Sequence, residues 1–386
     1  MNAIANFYTL FWMIYFPVCL VLYSKQEFQY VDELLTIVLF LYAVFVGRRR
    51  NAKEYRREIS MYIGIMIFYL LYSIAIGVTS IRGVMLDFFQ QIRPYIVFYS
   101  TIVLIPQLND KQRKLILFVT LVSSFYYFYH MDFDKDEDGM LSVIFLICGI
   151  AYYYFTRTTA FNRNIAIIIM LLGLLSGKSK YFGQCVVFLY LITFLRHKIK
   201  FSSLKTYISL IIMSVIVLFF SWTKFSGYYI DGFKSDAEEL ARPMSYITGY
   251  EILWDYFPFG SGLGSFCTAA AAKEYSPLYY KYDLDHIWGM TPDNTMFIAD
   301  CYYPGLAEFG IVGVFLFCVF WKRRLMDIQK IRDIKYYRLA LMCMLTLAID
   351  STSNTAYLSG GGMAIFIILA MCINSARTDN NKQLYA

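Results

Sequence analysis

Apolar residues come in runs of about 15–20, each close to the length that crosses a bilayer as a helix, and short polar connectors separate them. About twelve runs are legible, over 5–23, 32–47, 59–79, 94–108, 114–130, 140–155, 163–176, 181–195, 205–223, 301–321, 337–353 and 357–374. The pattern predicts an all-α polytopic membrane protein with about twelve transmembrane helices. The chain 1–386 reads as a single integral membrane domain, and one polar stretch, 224–300 between the ninth and tenth spans, is far longer than any other.

Short helices are expected inside this loop. Ser235 and Glu238 stand in capping-box spacing, and Pro243 suits the start of a second helix. Ile247, Tyr250, Trp254 and Phe257 then recur at helical spacing, and Pro258 with Gly260, Gly262 and Gly264 ends that helix in a tight turn.

Charge sets the orientation. Lys and Arg gather in alternate connectors, notably RRRNAKEYRRE, NDKQRK, RHKIKFSSLK and KRRLMDIQKIRDIKYYR. The positive-inside rule puts these in the cytoplasm, with both termini, and the long loop outside. The first run lacks a preceding basic residue and a small-residue cleavage site, so it reads as a retained span.

Basic residues left on the outer side oppose that bias and become candidates. Arg82 and Arg93 bracket an amphipathic segment, Ile81–Ile92, whose apolar residues Ile81, Val84, Met85, Phe88 and Ile92 share a face. It reads either as an interfacial anchor or as an arginine pair facing a lipid phosphate, with Pro94 expected to break or kink the chain after it. SGKSK places Lys178 and Lys180 at a tight outer turn, where snorkelling to the interface is the plain alternative. MDFDKDEDG lacks the spacing of a calcium loop.

Composition agrees with the membrane class: 59% hydrophobic, 16% charged and a mean hydropathy of +0.50. The eight cysteines show no metal-ligand spacing, and no metal or cofactor is expected. Cys267 and Cys301 in the loop read as two thiols rather than a disulfide. The loop holds eleven acidic and five basic residues, a poor match to nucleic acid and a fair one to sugars. His286 is the one outer histidine, and its side chain suits general-base work near neutrality.

RPMSYITGYEILWDYFPFGSGLGSF, followed by PDNTMFIADCYYPGLAEFGIVGVF, is similar to the signature of the O-antigen polymerase and O-antigen ligase superfamily. The matching positions are Arg242, Trp254, Pro258, Gly260, Gly262, Gly264, Phe266, Asn294, Glu308, Gly310 and Gly313. SGKSK resembles the family's Ser-Arg step, with Lys for Arg. The resemblance implies a GT-C-like glycosyltransferase of the bacterial inner membrane, with its large loop in the periplasm. Its substrates would be oligosaccharides on polyprenyl diphosphate, and its pathway partners a flippase and a chain-length regulator. By this resemblance Arg242, then Arg93, Arg82, Lys178 and Lys180, would hold the diphosphate. His286 or Asp293 would be the base and Asn294 would orient the acceptor. Glu251, Gly260, Gly262 and Gly264 would line the substrate. Where ligases carry His-Asn this chain has Asp293-Asn294, which favours polymerisation of repeat units over ligation to lipid A core. A flippase or transporter is the third reading.

Overall fold

The computed structural model describes residues 2–18, 31–47, 53–104, 106–129, 139–199, 208, 211, 215, 226 and 240–384. The expected span 205–223, Lys224, Lys234, the capping pair Ser235 and Glu238, and residues 131–138 of the acidic stretch lie outside the described residues, apart from isolated positions.

The first half of the chain forms α1 (Asn2–Tyr15), α2 (Val31–Gly47), α3 (Lys53–Ile76), α4 (Ile81–Leu104), α5 (Asp110–Tyr129), α6 (Gly139–Phe155), α7 (Ala160–Leu172) and α8 (Ser179–Thr193). The loop region follows with α9 (Ala241–Asp255), α10 (Ala269–Lys273) and α11 (Leu278–Lys281). The chain closes with α12 (Tyr302–Gly305), α13 (Gly310–Lys330), α14 (Ile334–Asp350) and α15 (Gly360–Leu384). The protein is all-helical, with no strand among the described residues. Every expected apolar run except 205–223 coincides with helix. Two stretches, Tyr55–Ile76 and Tyr302–Lys330, are long and apolar enough to cross a membrane.

At the centre, α4 packs against α2, α3 and α15. Helix α15 is apolar on every side and buried from Met363 to Ile373, as a helix without a polar face must be. Two expectations for α4 change. Pro94 sits inside one continuous helix and does not end it. In the turn it disturbs, the Tyr62 hydroxyl of α3 donates to the Gln91 carbonyl at 3.0 Å, so a neighbouring helix restores a backbone partner. The first half of α4 is also not an anchor lying apolar face inward. Ile81, Met85 and Phe89 are exposed, while Asp87 and Gln91 are buried. Polar atoms turn toward protein where the surroundings offer them no partner.

The connectors sort into two groups by contact. Arg324 and Arg323 pair with Glu58, Lys335 donates to the Tyr154 and Thr156 carbonyls, Arg338 donates to the Leu195 carbonyl, and Lys198 donates to the Gln329 carbonyl. The second group joins Ser80 to Glu274, Tyr246 to the Thr352 carbonyl, Tyr15 to the Gly360 carbonyl, and Lys180 to Asp350. The described part of the loop has a small core of its own, built from Ile252, Phe266, Leu278, Tyr279, Leu284 and Ile298 with their neighbours.

Candidate functional site

Helix α9 begins at Ala241, which puts Arg242 in its first turn. The helix turns small residues inward: Ser245, Thr248 and Gly249 are buried, and a Cβ on Gly249 would sit 3.3 Å from the Pro304 Cα. Ile247, Tyr250, Trp254 and Phe257 do share a face, as their spacing predicts, but that face is exposed. This close seat against α12 brings Arg242 to Asp300, and its Nε donates to the Asp300 Oδ2.

A second cation arrives from a different connector. The Gly173–Ser176 turn ends in Gly177 at φ 63°, a left-handed residue that reverses the chain into α8. Lys180, in the first turn of α8, reaches Asp350 at the end of α14, 2.8 Å away, and the Ser353 carbonyl at 3.4 Å. An acid at a helix C-terminus opposes the helix dipole, and the ammonium compensates both. The charges of Lys180 and Lys178 also reach Asp300. Burial pushes the Asp300 carboxyl above the usual carboxylate range, while Arg242, Lys180 and Lys178 pull it back. Arg242, Lys178 and Lys180 thus converge on Asp300 and Asp350. These charges come from three separate connectors and are part-buried, so they are less screened than surface pairs.

The remaining candidates lie elsewhere. Arg82 is 70% exposed and pairs with Glu274 at 3.3 Å. Arg93 is buried, pairs with Glu33 at 2.7 Å and donates to the Leu358 carbonyl. The two arginines of α4 therefore have different surroundings and do not act as one pair. Glu251 is exposed on α9, about 13 Å of helix rise beyond Arg242. His286 and Asp293 do not share a helical face, because 282–301 is a chain of turns. His286 stands by Asp283, with Nδ1 3.6 Å from Oδ1. Asp283, Asp285 and His286 have donor atoms within 4.8 Å of one another, in an exposed setting. Asp293 is exposed at the tip of a turn where the Asn294 amide donates to the Thr291 Oγ1 at 3.0 Å. Cys267 and Cys301 are both buried free thiols. Burial pushes Cys301 up to about 12.

The glycine turn meets protein rather than an open site. Gly260, Gly262 and Gly264 have φ of 83°, 84° and 72°, a region glycine enters without strain. Side chains there would strike the 307–310 backbone, Ser73 of α3 and Gly83 of α4 respectively. The turn's amides are spent on these helices too. Gly264 N donates to the Asp87 Oδ2 at 3.1 Å, Leu263 N to the Ser73 Oγ at 2.8 Å, and Phe266 N to the Glu308 Oε1 at 2.7 Å.

Asp87, Glu308, Asp300 and Asp350 escaped the sequence reading as site residues. Asp87 and Glu308 are fully buried and hydrogen-bonded to each other. A bond between two carboxyls needs one of them to carry a proton. The available signal was an acid inside or beside an otherwise apolar run, since such groups are retained only with partners. No protein-family model and no curated protein matches the chain.

Proposed function

We propose that this chain is a membrane glycosyltransferase that polymerises oligosaccharide repeat units carried on polyprenyl diphosphate. The observation that carries the reading is the convergence of Arg242, Lys178 and Lys180 around Asp300 and Asp350. In glycosyl transfer from a lipid diphosphate, an acceptor hydroxyl attacks the anomeric carbon. The bond from that carbon to the diphosphate oxygen breaks, and its electron pair leaves with the lipid diphosphate. The hydroxyl proton passes to a base. Negative charge grows on the leaving oxygen, so fixed cations there lower the barrier. Arg242 offers a planar, bidentate donor set, and the lysines add point charges. In the ligand-free site Asp300 and Asp350 hold these cations in place, and the diphosphate would compete with them for the same donors. His286 or Asp293, exposed in the adjoining turns, is the candidate base, and Asn294 the candidate for orienting the acceptor.

The same reading places the chain in the bacterial inner membrane with about twelve spans, both termini cytoplasmic and the loop periplasmic. The sorting of connectors into two contact groups supports it: the lysine- and arginine-rich connectors meet one another, and Arg242, Lys180 and Glu274 belong to the other group.

The test uses purified full-length protein in liposomes with a lipid-linked repeat unit, read as ladder formation on a gel. Arg242→Ala should lower the rate by about 10²–10³. A variant that still makes full-length polymer at the wild-type rate overturns the assignment. A wild-type protein that builds no ladder but moves finished glycan to lipid A core would be a ligase. One that only translocates the lipid-linked unit would be a transporter.

A further inference from the structure

We propose that the groove between α3, α4 and α13 binds an anionic phospholipid, with its phosphate at Arg57 and Arg323 and an acyl chain along the tyrosine-lined wall. The groove's floor is apolar and aromatic: Met61, Tyr62, Tyr95, Phe317 and Phe320 line it. It continues at the α3 N-terminus and α13 C-terminus into a polar mouth of about 730 Å³. That mouth is lined by Arg57, Arg323, Arg324 and Lys330 against Glu58 and Asp327, four cations to two acids.

The cations divide into anchor and bait. Arg324 is 1% exposed, pairs with Glu58 at 2.9 Å and Asp327 at 3.3 Å, and lies over the rings of Tyr55, Phe98, Tyr99 and Phe320. It is fixed by the protein and neutralises much of both acids. Arg323 and Lys330 are 47% and 64% exposed, and Arg57 is exposed as well. They leave the rim net positive beside an apolar trough. The flank around the groove is apolar and outward-facing, with only 17% of the apolar stretch of α3 buried and Met61, Phe315 and Met326 exposed. An apolar groove ending in a cationic rim complements a diacyl lipid with an anionic head, because chain burial and phosphate pairing then occur together. A neutral zwitterionic lipid would fill the trough and leave the surplus charge unmatched. The proposal lies at the opposite connector group from Arg242 and rests on the bilayer placement above, not on the glycan chemistry.

The experiment is native mass spectrometry of the full-length protein exposed to equimolar phosphatidylglycerol and phosphatidylcholine of matched chains, without donor or acceptor glycan. Wild type should retain phosphatidylglycerol at least about tenfold over phosphatidylcholine. Arg57→Ala with Arg323→Ala should weaken that retention by about 25-fold, about fivefold per basic residue. Arg57→Lys with Arg323→Lys should keep most of it. Glu58 retains Arg324 and the Tyr99 hydroxyl in the alanine variant, so the fold has no new orphan there. Equal retention of the two lipids, an undiminished preference in the alanine variant, or displacement of phosphatidylglycerol by millimolar inorganic phosphate alone would each overturn the proposal. Lipid retention and ladder formation are separate readouts, so either proposal can fail while the other stands.

Discussion

Replacing Gly264 with alanine should destabilise the protein through two separable costs. The residue sits at φ 72°, and a Cβ there would lie 2.7 Å from the Gly83 carbonyl oxygen and 2.8 Å from its carbon, both backbone atoms of α4. Left-handed backbone costs a non-glycine residue about 1–2 kcal/mol. Forcing a methyl against fixed backbone adds about 1–3 kcal/mol, for a total of about 2–5 kcal/mol. Two other glycines separate the parts. Gly77 has φ 63° but open space where its Cβ would go, so Gly77→Ala should cost only the conformational share, about 1–2 kcal/mol. Gly64 lies in α3 with neither a clash nor a positive φ, so Gly64→Ala should be neutral or stabilising by up to about 1 kcal/mol. The assay is the thermal midpoint of each purified variant in one detergent, with transfer activity measured alongside. The expected order of midpoints is Gly64→Ala, then Gly77→Ala, then Gly264→Ala lowest. If Gly264→Ala melts with the wild type and loses only activity, the turn serves a ligand and the packing argument is wrong.

Glu308→Ala orphans the buried Phe266 amide and should lower stability by about 1–3 kcal/mol in the same melting assay, whereas Glu308→Gln keeps an acceptor and should stay near wild type. Of His286→Ala and Asp293→Ala, the one that removes the base should slow transfer by about 10²–10⁴ with its melting point unchanged, since both side chains are exposed. The Asp300 carboxyl titrates above its unfolded value, so its contribution to stability falls as pH rises from about 4 through that raised value. Melting against pH should show this slope in wild type and lose it in Asp300→Asn. Lys180→Met strands Asp350, which is 11% exposed, and should cost about 1–3 kcal/mol in the melting assay, with transfer falling as well.

Hydrophobic periodicity made nearly every helix legible, because a run with no polar interruption has few other ways to satisfy its backbone. Arg242 and the SGKSK lysines stood out because they carry positive charge on the disfavoured side, and the structure brings them to the same two acids. What sequence could not supply was direction. The amphipathic pattern of Ile81–Ile92 was visible, yet which face points inward depends on whether the outside is water or something apolar. His286 and Asp293 were separated by a count of helical turns that assumed a helix, and Pro292 with Gly289 breaks that assumption. Glu308 lay within the matched motif, but its partner Asp87 comes from 221 residues earlier and only folding joins them.

Helix α3 is fastened at both ends. Near its start Glu58 is bound by Arg324 of α13, and near its finish Tyr69, Tyr72 and Ser73 bond to the Phe309 carbonyl, the Gly260 carbonyl and the Leu263 amide. Mechanically it is a beam clamped at two supports, with the groove along its unsupported middle. Such a beam can bow but cannot swing away. Anything occupying the groove must therefore slip in sideways past side-chain rotations, and its exchange rate will follow ring flips of Tyr62 and Phe320 rather than helix separation.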